Sequence, residues 1–499
     1  MAVINPLMPL LVLFTSLFAA PVIFLLPERR STARTIVNLS AAIVKLLMVA
    51  AMIIGVYLGI HYEMRYAVIP GVAFVLRADA LGVMFAGLSS LLWLFTTIYA
   101  VGYLEGSPNR SRFFGFFSLC VTSTMGIAFA GNLFTFVIFY ELLTISTYPL
   151  LVHRGTDRAL AAGKCYLQYT LAGGVVLLLG VIALHALAGD VTFGDHHVLA
   201  TLSNDNQAYL KWIFVFLIAG LGVKTALVPL HGWLPSAMVA PAPVSALLHA
   251  VAVVKAGAFG IVRVVYDIFG LELSYSLGLL NGLTIIACIT ILYGSLRAIT
   301  QTEIKRRLAF STISQISYIV LGVSMIHPMG AAAGLAHLIH QGLMKITLFF
   351  CVGNYSETLG IHCVSELDGV GRRMPVSSVA FTTGAFGMIG MPPIAGFVSK
   401  WYLGVGAVGS GLHWVILVLV GSSLLNAAYF LPLVYRIWFK DQVGDWPHEK
   451  KIGLLETSGW LLWPPVATAV FSLAAGLLAG MAFSPVHWAE LIAFREYLP

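Results

Sequence analysis

The chain has 499 residues, of which 59% are hydrophobic and only 10% are charged, and its mean hydropathy is +0.92. A soluble domain needs about a quarter of its residues charged to cover its surface, so this composition excludes a soluble globular fold. At roughly 20 apolar residues per span, the length accommodates about 14 membrane helices. The net charge of +7 does not indicate a nucleic-acid partner, because the basic residues are spread over many loops.

Apolar runs bounded by turn residues and charges predict the membrane helices. In chain order they are 3–26, 35–60, 78–103, 112–130, 132–151, 159–188, 208–228, 241–268, 275–299, 304–326, 329–354, 374–408, 412–438 and 460–483. The first is expected to be a retained helix, because it lacks the basic start and the small-residue cleavage site of a signal peptide. The sequence therefore predicts an all-α polytopic membrane protein of about 14 transmembrane helices.

The distribution of basic residues predicts the orientation. Of the 28 lysines and arginines, five lie inside spans, and one side of the membrane holds only Arg65, Arg77, Lys211, Arg263 and Arg495. The other side therefore holds 18, and such an excess marks the cytoplasmic side. With an even number of spans, both termini are expected on the outer side of the cell inner (plasma) membrane.

Charged side chains inside the spans are the most informative feature of the sequence. The basic ones are Lys45, Lys224, Lys255, Lys345 and Lys400. Among the acids, only Glu141 lies well inside a span. A charge at bilayer depth costs at least about 2.5–3.5 kcal/mol, so these groups are expected to face one another or internal water. Lys45 has no evident partner, and for it we prefer snorkelling to an interface or a static pair; for the others we prefer a functional role.

Prolines interrupt the apolar stretches next to two of these lysines. The expected helix breaks are at Pro229, Pro235, Pro392 and Pro393. Proline removes a backbone donor and clashes with the preceding turn, and a broken span is tolerated only where protein or internal water satisfies the freed groups. Two interrupted helices about five spans apart are typical of a transporter built from two related repeats. Kinked packing helices are the alternative, but they do not explain a lysine beside each break.

Buried lysines and histidines suit proton transfer. Burial disfavours the charged form of an amine and a nearby carboxylate favours it, so a lysine between these influences can exchange a proton near neutral pH. Histidine changes charge in the same range. His249 precedes Lys255, and both His337 and His340 precede Lys345. Each histidine alone could be an ordinary core residue, but their positions between membrane lysines favour a relay.

Several motifs resemble one known superfamily. The stretch from Val223 to Gly257, VKTALVPLHGWLPSAMVAPAPVSALLHAVAVVKAG, is similar to the signature of the antiporter-like subunits of respiratory complex I, Mrp-type cation/proton antiporters and membrane-bound hydrogenases. Further matches, in the expected order, are Tyr140–Pro149, Ser311–Tyr318, Gly371–Pro375 and Met391–Lys400.

The resemblance implies a 14-helix fold with two inverted five-helix repeats, each containing one discontinuous helix. It divides the chain into an N-terminal three-helix segment (1–110), a first repeat with helices 4–8 (111–270), a second repeat with helices 9–13 (271–440), and a cytoplasmic linker with the last helix (441–499). It implies that Glu141 on the fifth helix and Lys224 on the seventh form a switching pair. The implied line of proton-carrying residues continues through His249, Lys255, His337, His340, Lys345 and Lys400, on the eighth, eleventh and twelfth helices.

One departure affects these assignments. In the motif AHLIHQGLMK, His340 stands one position before the second histidine of complex I's largest antiporter-like subunit, and Gln341 takes that place. The role of His340 therefore stays open. The chain also has no long segment after its last span, which favours the Mrp D subunit, its hydrogenase relatives or complex I's middle antiporter-like subunit. Lysine rather than glutamate at position 400 argues mildly against the last.

The sequence leaves three functions open. The first is a proton-conducting subunit of a larger membrane complex that contains sister antiporter-like subunits, with Mrp-type sodium/proton antiport or a related energy-coupling assembly as host. The second is the pumping arm of a quinone- or hydrogen-oxidising enzyme, and the third is a stand-alone secondary transporter. No redox, hydrolytic or nucleotide motif is visible, so the chain is expected to bind no cofactor. Five scattered cysteines without a CxxC pair predict no metal site.

Overall fold

The structure is a computed structural model that describes residues 5–195, 197–442, 444–450 and 455–497. Its helices are α1 (Met8–Leu25), α2 (Ser31–Tyr57), α3 (Ala80–Tyr103), α4 (Arg110–Phe129), α5 (Leu133–Leu151), α6 (Asp157–Ala188), α7 (His197–Thr225), α8 (Trp233–Ser236), α9 (Ala242–Ala250), α10 (Val253–Val262), α11 (Leu271–Ser276), α12 (Leu279–Ile299), α13 (Ile304–Ser324), α14 (Pro328–Leu359), α15 (Val370–Arg373), α16 (Pro375–Ile389), α17 (Ala395–Gly409), α18 (Trp414–Phe439), α19 (Gly459–Leu477) and α20 (Pro485–Ile492). Two π-helical segments, Arg263–Phe269 and Ala493–Tyr497, extend α10 and α20.

Within the described ranges, twelve helical stretches are long and apolar enough to cross a membrane. They account for every expected span except 304–326 and 374–408. The first of these corresponds to α13, which starts with Lys305-Arg306-Arg307 and is rich in hydroxyl residues. The second is divided into α16 and α17, each of 15 residues. The multi-pass helical membrane architecture is confirmed, and the count of about 14 spans stays a prediction.

A β-hairpin was not expected from the sequence. Strands β1 (Tyr62–Ile69) and β2 (Val72–Ala78) pair antiparallel, with a bulge between Ala67 and Ile69. The hairpin is attached to the turn between α4 and α5, because the N–H of Gly131 donates to the carbonyl of Val75 at 2.9 Å. The sequence signal was two β-branched and aromatic runs separated by Pro70-Gly71, which is a common hairpin pattern. The chain is therefore predominantly, but not entirely, helical.

The chain forms two compact units. The first contains Met1–Thr97, Gly106–Ala226 and Val251–Gly282, and the second contains Ile98–Glu105, Leu227–Ala250 and Leu283–Pro499. The expected division into segments ending at 110, 270 and 440 stays a prediction. Of its last segment, residues 443, 451–454, 498 and 499 lie outside the described residues.

The first unit is built from helix pairs, of which some are adjacent in sequence and others are not. α1 packs against α2 and α4, α5 packs against α4 and α6, and α7 packs against α6 and α10. The side chain of Asn132 caps α5 by accepting from the N–H of Thr135 at 2.9 Å, and Thr156 caps α6 in the same manner at 3.2 Å. Such caps satisfy amide groups that have no intrahelical partner.

A single long helix organises the second unit. α14 packs against α9, α13, α16, α17, α19 and α20. His327 caps its start by accepting from the N–H of Met329 at 3.2 Å, and Gly360 ends it in the left-handed conformation with φ of 72°. Because neighbours surround α14, most of its polar side chains are held away from lipid.

Candidate functional site

The backbone breaks directly after Lys224. α7 ends at Thr225, Ala226 adopts a positive φ of 59°, and the next helix begins only at Trp233. Pro229 lies in this interruption, in a cis peptide bond with Val228. Pro235 instead lies inside the short helix α8, where proline is tolerated in the first turn. The break leaves Lys224 in the last turn of α7, fully buried.

The ammonium of Lys224 lies against Tyr140. Its Nζ donates a hydrogen bond to the Tyr140 carbonyl and lies 3.3 Å from the centroid of the Tyr140 ring. The Tyr140 hydroxyl in turn donates to the carbonyl of Gly220 at 3.3 Å, which holds the ring against α7. Stacking over an aromatic face stabilises a cation without a carboxylate. The site therefore binds Lys224 mainly through a backbone oxygen and a ring.

Glu141, the residue after Tyr140, is half-buried and points toward α6. A Cβ atom at Gly174 would lie 2.3 Å from Glu141 Oε1, so the carboxylate packs where α6 lacks a side chain. Glu141 Oε1 accepts no hydrogen bond from the described residues. Within the described residues, no ion pair of 4.0 Å or less joins Glu141 to Lys224. Glu141 thus directly follows the tyrosine that binds Lys224, and within the described residues the expected switching pair forms no ion pair of 4.0 Å or less.

Lys255 is fully buried on α10, which packs against α7. The two backbones approach closely, since a Cβ atom at Gly257 would lie 2.5 Å from the amide nitrogen of Thr225. Lys255 is two residues from this contact and Lys224 is one residue from it. Within the first unit, the fold thus brings the segments that carry Lys224 and Lys255 together.

His249 lies on α9 in the second unit, six residues before Lys255 in sequence. Its ring is fully buried and stacks on Phe349 of α14, with 4.6 Å between centroids. Neither ring nitrogen has a hydrogen-bond partner among the described residues. Buried polar atoms are nearly always hydrogen-bonded to protein or water, so this histidine needs a partner such as internal water.

Several polar residues of α14 are fully buried, among them His337, His340, Gln341 and Lys345. The Nδ1 atom of His337 lies 2.8 Å from Ser399 Oγ, and its ring is 5.3 Å from that of Tyr318. Neither polar atom of the Gln341 amide is hydrogen-bonded within the described chain. α14 therefore carries a row of polar groups through the core of the second unit.

Lys345 and Lys400 are linked by a hydrogen-bonded network that the sequence analysis missed. Lys345 Nζ donates to Ser311 Oγ at 2.8 Å, and Ser311 Oγ lies 2.9 Å from the hydroxyl of Tyr429. Tyr429 lies 2.7 Å from Asn426 Oδ1, and the Asn426 amide donates to the carbonyl of Met388 at 3.1 Å. Ser311 opens the motif Ser311–Tyr318 on α13, and Tyr429 and Asn426 are polar residues in the apolar helix α18. These features are the signal that could have predicted the network.

Lys400 donates to the other end of this network. Its Nζ bonds the carbonyls of Met388 at 3.0 Å and Ile389 at 2.8 Å, and Ser423 Oγ at 3.2 Å. Pro392 and Pro393 lie in the turn between α16 and α17, next to these two carbonyls, and are joined by a cis bond. The lysine beside the second break thus bonds the backbone that the break leaves unpaired.

An apolar groove of about 850 Å³ opens beside Lys400 between α17 and α18. Its polar lining residues are His327, Lys400 and Ser423, and the others are apolar or glycine. Lys400 is accordingly only half-buried, unlike Lys224, Lys255 and Lys345. Within the described ranges, no group of three or more His, Cys, Asp or Glu side chains could hold a metal ion.

Comparison with known proteins identifies the family of the chain. The family described as NADH:quinone oxidoreductase/Mrp antiporter, TM, matches residues 130–426. NADH-quinone oxidoreductase subunit N of Desulforudis audaxviator is 36% identical over 363 residues, 72% of this chain and 70% of that protein.

The chain spans only about half the length of two antiporter relatives. A probable K(+)/H(+) antiporter A/B subunit of Rhizobium meliloti is 28% identical over 88% of this chain and 44% of that protein. The Na(+)/H(+) antiporter A1 subunit of Staphylococcus haemolyticus is 30% identical over 82% of this chain and 53% of that protein.

Two solved structures share the fold over nearly their full length. A chain of the Mrp complex from Dietzia sp. DQ12-45-1b superposes with a TM-score of 0.88 at 24% identity, covering 99% of this chain and 98% of that one. A chain of the membrane-bound sulfane sulfur reductase, an archaeal respiratory complex, gives 0.86 at 23% identity, covering 98% and 97%. At these identities the likeness shows the fold alone.

Proposed function

Because the chain belongs to the NADH:quinone oxidoreductase/Mrp antiporter transmembrane family, we propose that it is a proton-conducting, antiporter-like subunit of a multisubunit membrane complex. The proposed host performs Mrp-type monovalent cation/proton antiport or a related energy-coupling reaction. The proposed proton-carrying residues are Glu141, Lys224, His249, Lys255, His337, His340, Lys345 and Lys400. Sister antiporter-like subunits are the proposed partners.

One observation carries this proposal. Lys224 and Lys345 lie in helices long and apolar enough to cross a membrane, and Lys400 lies in the 15-residue helix α17. Within the described residues, none of the three forms an ion pair of 4.0 Å or less. Their ammonium groups instead contact hydroxyl groups, backbone carbonyls and aromatic rings. Unpaired charges at this depth are costly and are typical of residues that gain and lose protons in transport. A static structural role would be served better by an ion pair or by an apolar residue.

The donor set favours the proton over sodium as the ion carried here. Sodium is a hard cation that binds oxygen ligands, and a lysine ammonium repels it. Lysine, histidine and glutamate can each bind and release a proton, and the hydroxyl groups beside Lys345 can orient water between them. The hydrogen-bonded network between Lys345 and Lys400 cannot itself conduct, because the amide of Asn426 and the carbonyl of Met388 do not relay protons. We propose that it positions the two lysines.

A redox-driven host is the second candidate. The identity of 36% to NADH-quinone oxidoreductase subunit N, over 70% of that protein, is the observation that favours it. In that case the proton path is the same, and the driving reaction takes place in partner subunits. Moving one charge against 100 mV requires roughly 2.3 kcal/mol, so either an ion gradient or a redox partner must supply it.

Orientation is also part of the proposal. The excess of lysine and arginine on one set of loops supports a cytoplasmic position for that side and an outer position for both termini. We propose the plasma membrane as the location.

The test uses the assembled complex, isolated under mild conditions and reconstituted into liposomes. Lys224→Met and Glu141→Gln should each lower the initial proton translocation rate by about 100-fold, the scale of a lost acid–base group, while the subunits still assemble. Lys211→Met, at an exposed lysine on the same helix α7, is the matched control and should leave the rate unchanged. A wild-type rate in either Lys224→Met or Glu141→Gln would refute the proposed path.

The proteins isolated with the chain distinguish the hosts. Sister antiporter-like subunits without iron–sulfur proteins support the antiporter. Quinone-reducing or hydrogenase subunits support the redox-driven host. A lone active chain supports a stand-alone transporter and contradicts both.

A further inference from the structure

We infer that Lys45 is an additional proton-binding residue, reached from the Arg34 end of α2 by a hydrated polar column inside the first unit. This inference rests on the proposed proton-conducting function. The sequence favoured a snorkelling or statically paired lysine at this position. The contacts of Lys45 support neither alternative.

Three polar side chains of α2, spaced along one face of the helix, are buried in the protein interior. Arg34, Asn38 and Lys45 are 2%, 0% and 0% exposed, respectively. Ile43 and Leu47, on the opposite face, are 46% and 65% exposed. A snorkelling lysine would extend along the lipid face toward the interface, whereas Lys45 extends into the unit. Its burial therefore indicates an internal site.

Lys45 is held by neutral groups from two other helices, α1 and α3. Its Nζ donates to Ser16 Oγ of α1 at 2.5 Å and lies 4.8 Å from the ring centroid of Trp93 on α3. Ser16 is in turn hydrogen-bonded to Thr122 of α4 at 2.8 Å. Neither the lysine nor its neighbours supplies a negative charge.

No carboxylate is available on the helices that surround Lys45. The sequences of α1, α2, α3 and α4 contain no aspartate or glutamate. Their charged groups besides Lys45 are Arg34 on α2 and Arg110 and Arg112 on α4, all near one end of these helices. The other titratable groups are Cys120 on α4 and Tyr57, Tyr99 and Tyr103 on α2 and α3. A static ion pair within this bundle is thus excluded, and the ammonium is a group that can release its proton.

Three rows of polar side chains connect Lys45 to the end of the bundle. They are Arg34, Asn38 and Lys45 on α2, Ser89, Trp93 and Thr97 on α3, and Ser111, Ser118 and Thr122 on α4, and together we call them the polar column. Spacings of four and seven residues place the members of each row on one helix face. Arg34 bonds Ser111 at 2.8 Å at one end of the column, and Ser16 links Lys45 to Thr122 at the other. At 1.5 Å per residue, the two ends lie roughly 16 Å apart.

The column contains buried polar atoms without hydrogen-bond partners among the described residues. They are Asn38 Oδ1, Ser89 Oγ, Trp93 Nε1, Thr97 Oγ1 and Ser118 Oγ. Five such atoms in one region exceed what a folded protein normally leaves unsatisfied, and water is the usual partner in such places. Asn38 and Ser118 lie between the two ends on α2 and α4. Water bonded to them would connect Lys45 to the Arg34 end.

An ionised carboxylate marks the open end of the column. Glu28, 46% exposed, lies 3.7 Å from Arg34 and accepts from the N–H groups of Arg110 and Ser111 at 3.1 and 2.9 Å. Burial opposes its ionisation, but the hydrogen bonds from Ser111 and Arg110 and the charges of Arg34 and Arg110 together lower the pKa of Glu28 below its ordinary value. A negative group at this position attracts protons from the adjoining water.

The experiment compares Lys45→Met with Lys224→Met in the reconstituted complex. Methionine keeps the volume and removes the amine, so thermal stability should be unchanged or higher once the buried charge is gone. The translocation rate of Lys45→Met should fall by about tenfold or more. A wild-type rate in Lys45→Met together with a loss in Lys224→Met overturns this inference alone. A wild-type rate in Lys224→Met overturns the proposed function instead.

A second measurement keeps the inference testable should Lys45→Met fail to assemble. Asn38→Cys in the complex is treated with the water-soluble thiol reagent 2-aminoethyl methanethiosulfonate, and the labelled peptide is found by mass spectrometry. Hydration of the column predicts modification at position 38 that Glu28→Gln slows. Ile43→Cys, on the lipid face of the same helix, is the matched control and should stay unmodified. Equal labelling at 38 and 43, or none at 38, contradicts a hydrated column.

Discussion

The carboxylate of Glu141 packs directly against Gly174, where α6 has no side chain. A Cβ atom at that position would lie 2.3 Å from Glu141 Oε1 and 2.7 Å from its carboxyl carbon. Such a separation is far below van der Waals contact, so any larger residue displaces the carboxylate or separates α5 from α6. Because Gly174 of α6 has no Cβ atom, it leaves the space that the Glu141 carboxylate occupies.

Gly174→Ala should impair proton translocation without removing any titratable group. We expect a loss of about tenfold in rate, because the carboxylate is displaced from the position it takes beside Gly174, and an overpacking cost of roughly 1–3 kcal/mol. The control is Gly282→Ala on α12, where nothing lies within 4 Å of the added Cβ. Equal rates for the two variants would show that the position of Glu141 beside Gly174 does not matter for transport.

Tyr429→Phe should uncouple Lys345 from Lys400. The substitution removes the hydroxyl that lies between Ser311 and Asn426 and keeps the ring in place. The expected rate loss is about tenfold, smaller than the 100-fold or more that accompanies loss of a proton carrier, because both lysines remain. Tyr435→Phe on the same helix, where the side chain is 55% exposed, is the control. An unchanged rate in Tyr429→Phe would mean that the network is only structural.

Lys400→Arg and Lys400→Met together separate the structural role of Lys400 from its ability to release a proton. Met388 and Ile389 end α16, so their carbonyls lack intrahelical partners, and Lys400 satisfies them. Arginine supplies donors and charge but does not release its proton, whereas methionine supplies neither. We expect Lys400→Arg to keep the melting temperature near wild type and to lose transport, and Lys400→Met to lower both. Wild-type transport in Lys400→Arg would show that a fixed charge suffices at this position.

The ion pair between Asp79 and Arg263 predicts a pH-dependent stability. Arg263 is buried and makes two bonds of 2.7 Å to the carboxylate of Asp79 and one of 2.8 Å to Asp267. Burial raises the pKa of Asp79, but Arg263 and the N–H of Gly82 outweigh it, so the net pKa is below its ordinary value. A depressed folded-state pKa stabilises the fold above the unfolded value near 3.9 and loses this effect as pH falls through the folded value.

Asp79→Asn should therefore destabilise the chain at pH 7 by roughly 3 kcal/mol, the lower end of the cost of breaking a buried pair, since Asp267 still contacts Arg263. The difference in melting temperature from wild type should shrink between pH 5 and pH 3. Asp441→Asn provides the control, because Arg372 and Asp441 form an ion pair whose side chains are 75% and 77% exposed. A pH-independent difference would contradict the assignment.

The sequence predicted the membrane helices well because hydropathy acts along the chain. The runs that become α1 to α7 are separated by charged or glycine-containing turns, and their expected bounds lie within a few residues of the observed ones for most helices. The hairpin from Tyr62 to Ala78 was not predicted, because hydropathy alone does not distinguish two short strands from a loop between membrane helices. The break at Ala252, with ψ of −91°, has no proline or adjacent glycine to announce it.

Contacts of the site residues were harder to predict than their positions. That Lys345 and Lys400 are polar and buried follows from sequence, but the residues between them come from α13 and α18, far apart in the chain. Likewise, the sequence did not predict that Lys224 would bond the Tyr140 carbonyl, and its switching pair with Glu141 stays a prediction. Which backbone oxygen a lysine reaches depends on helix rotation, and a sequence of nearly uniform apolarity does not specify it.

The row formed by Arg34, Asn38 and Lys45 has a consequence for how α2 is set into the protein. Most of the remaining surface of α2 is aliphatic. Contact with lipid alone therefore hardly determines how the helix is rotated about its long axis. Turning it by half a revolution would bring Lys45 into hydrocarbon at a cost of at least about 2.5–3.5 kcal/mol. The polar row therefore fixes the rotation of α2 about its axis to the one in which Lys45 meets Ser16 of α1 and Arg34 meets Ser111 of α4.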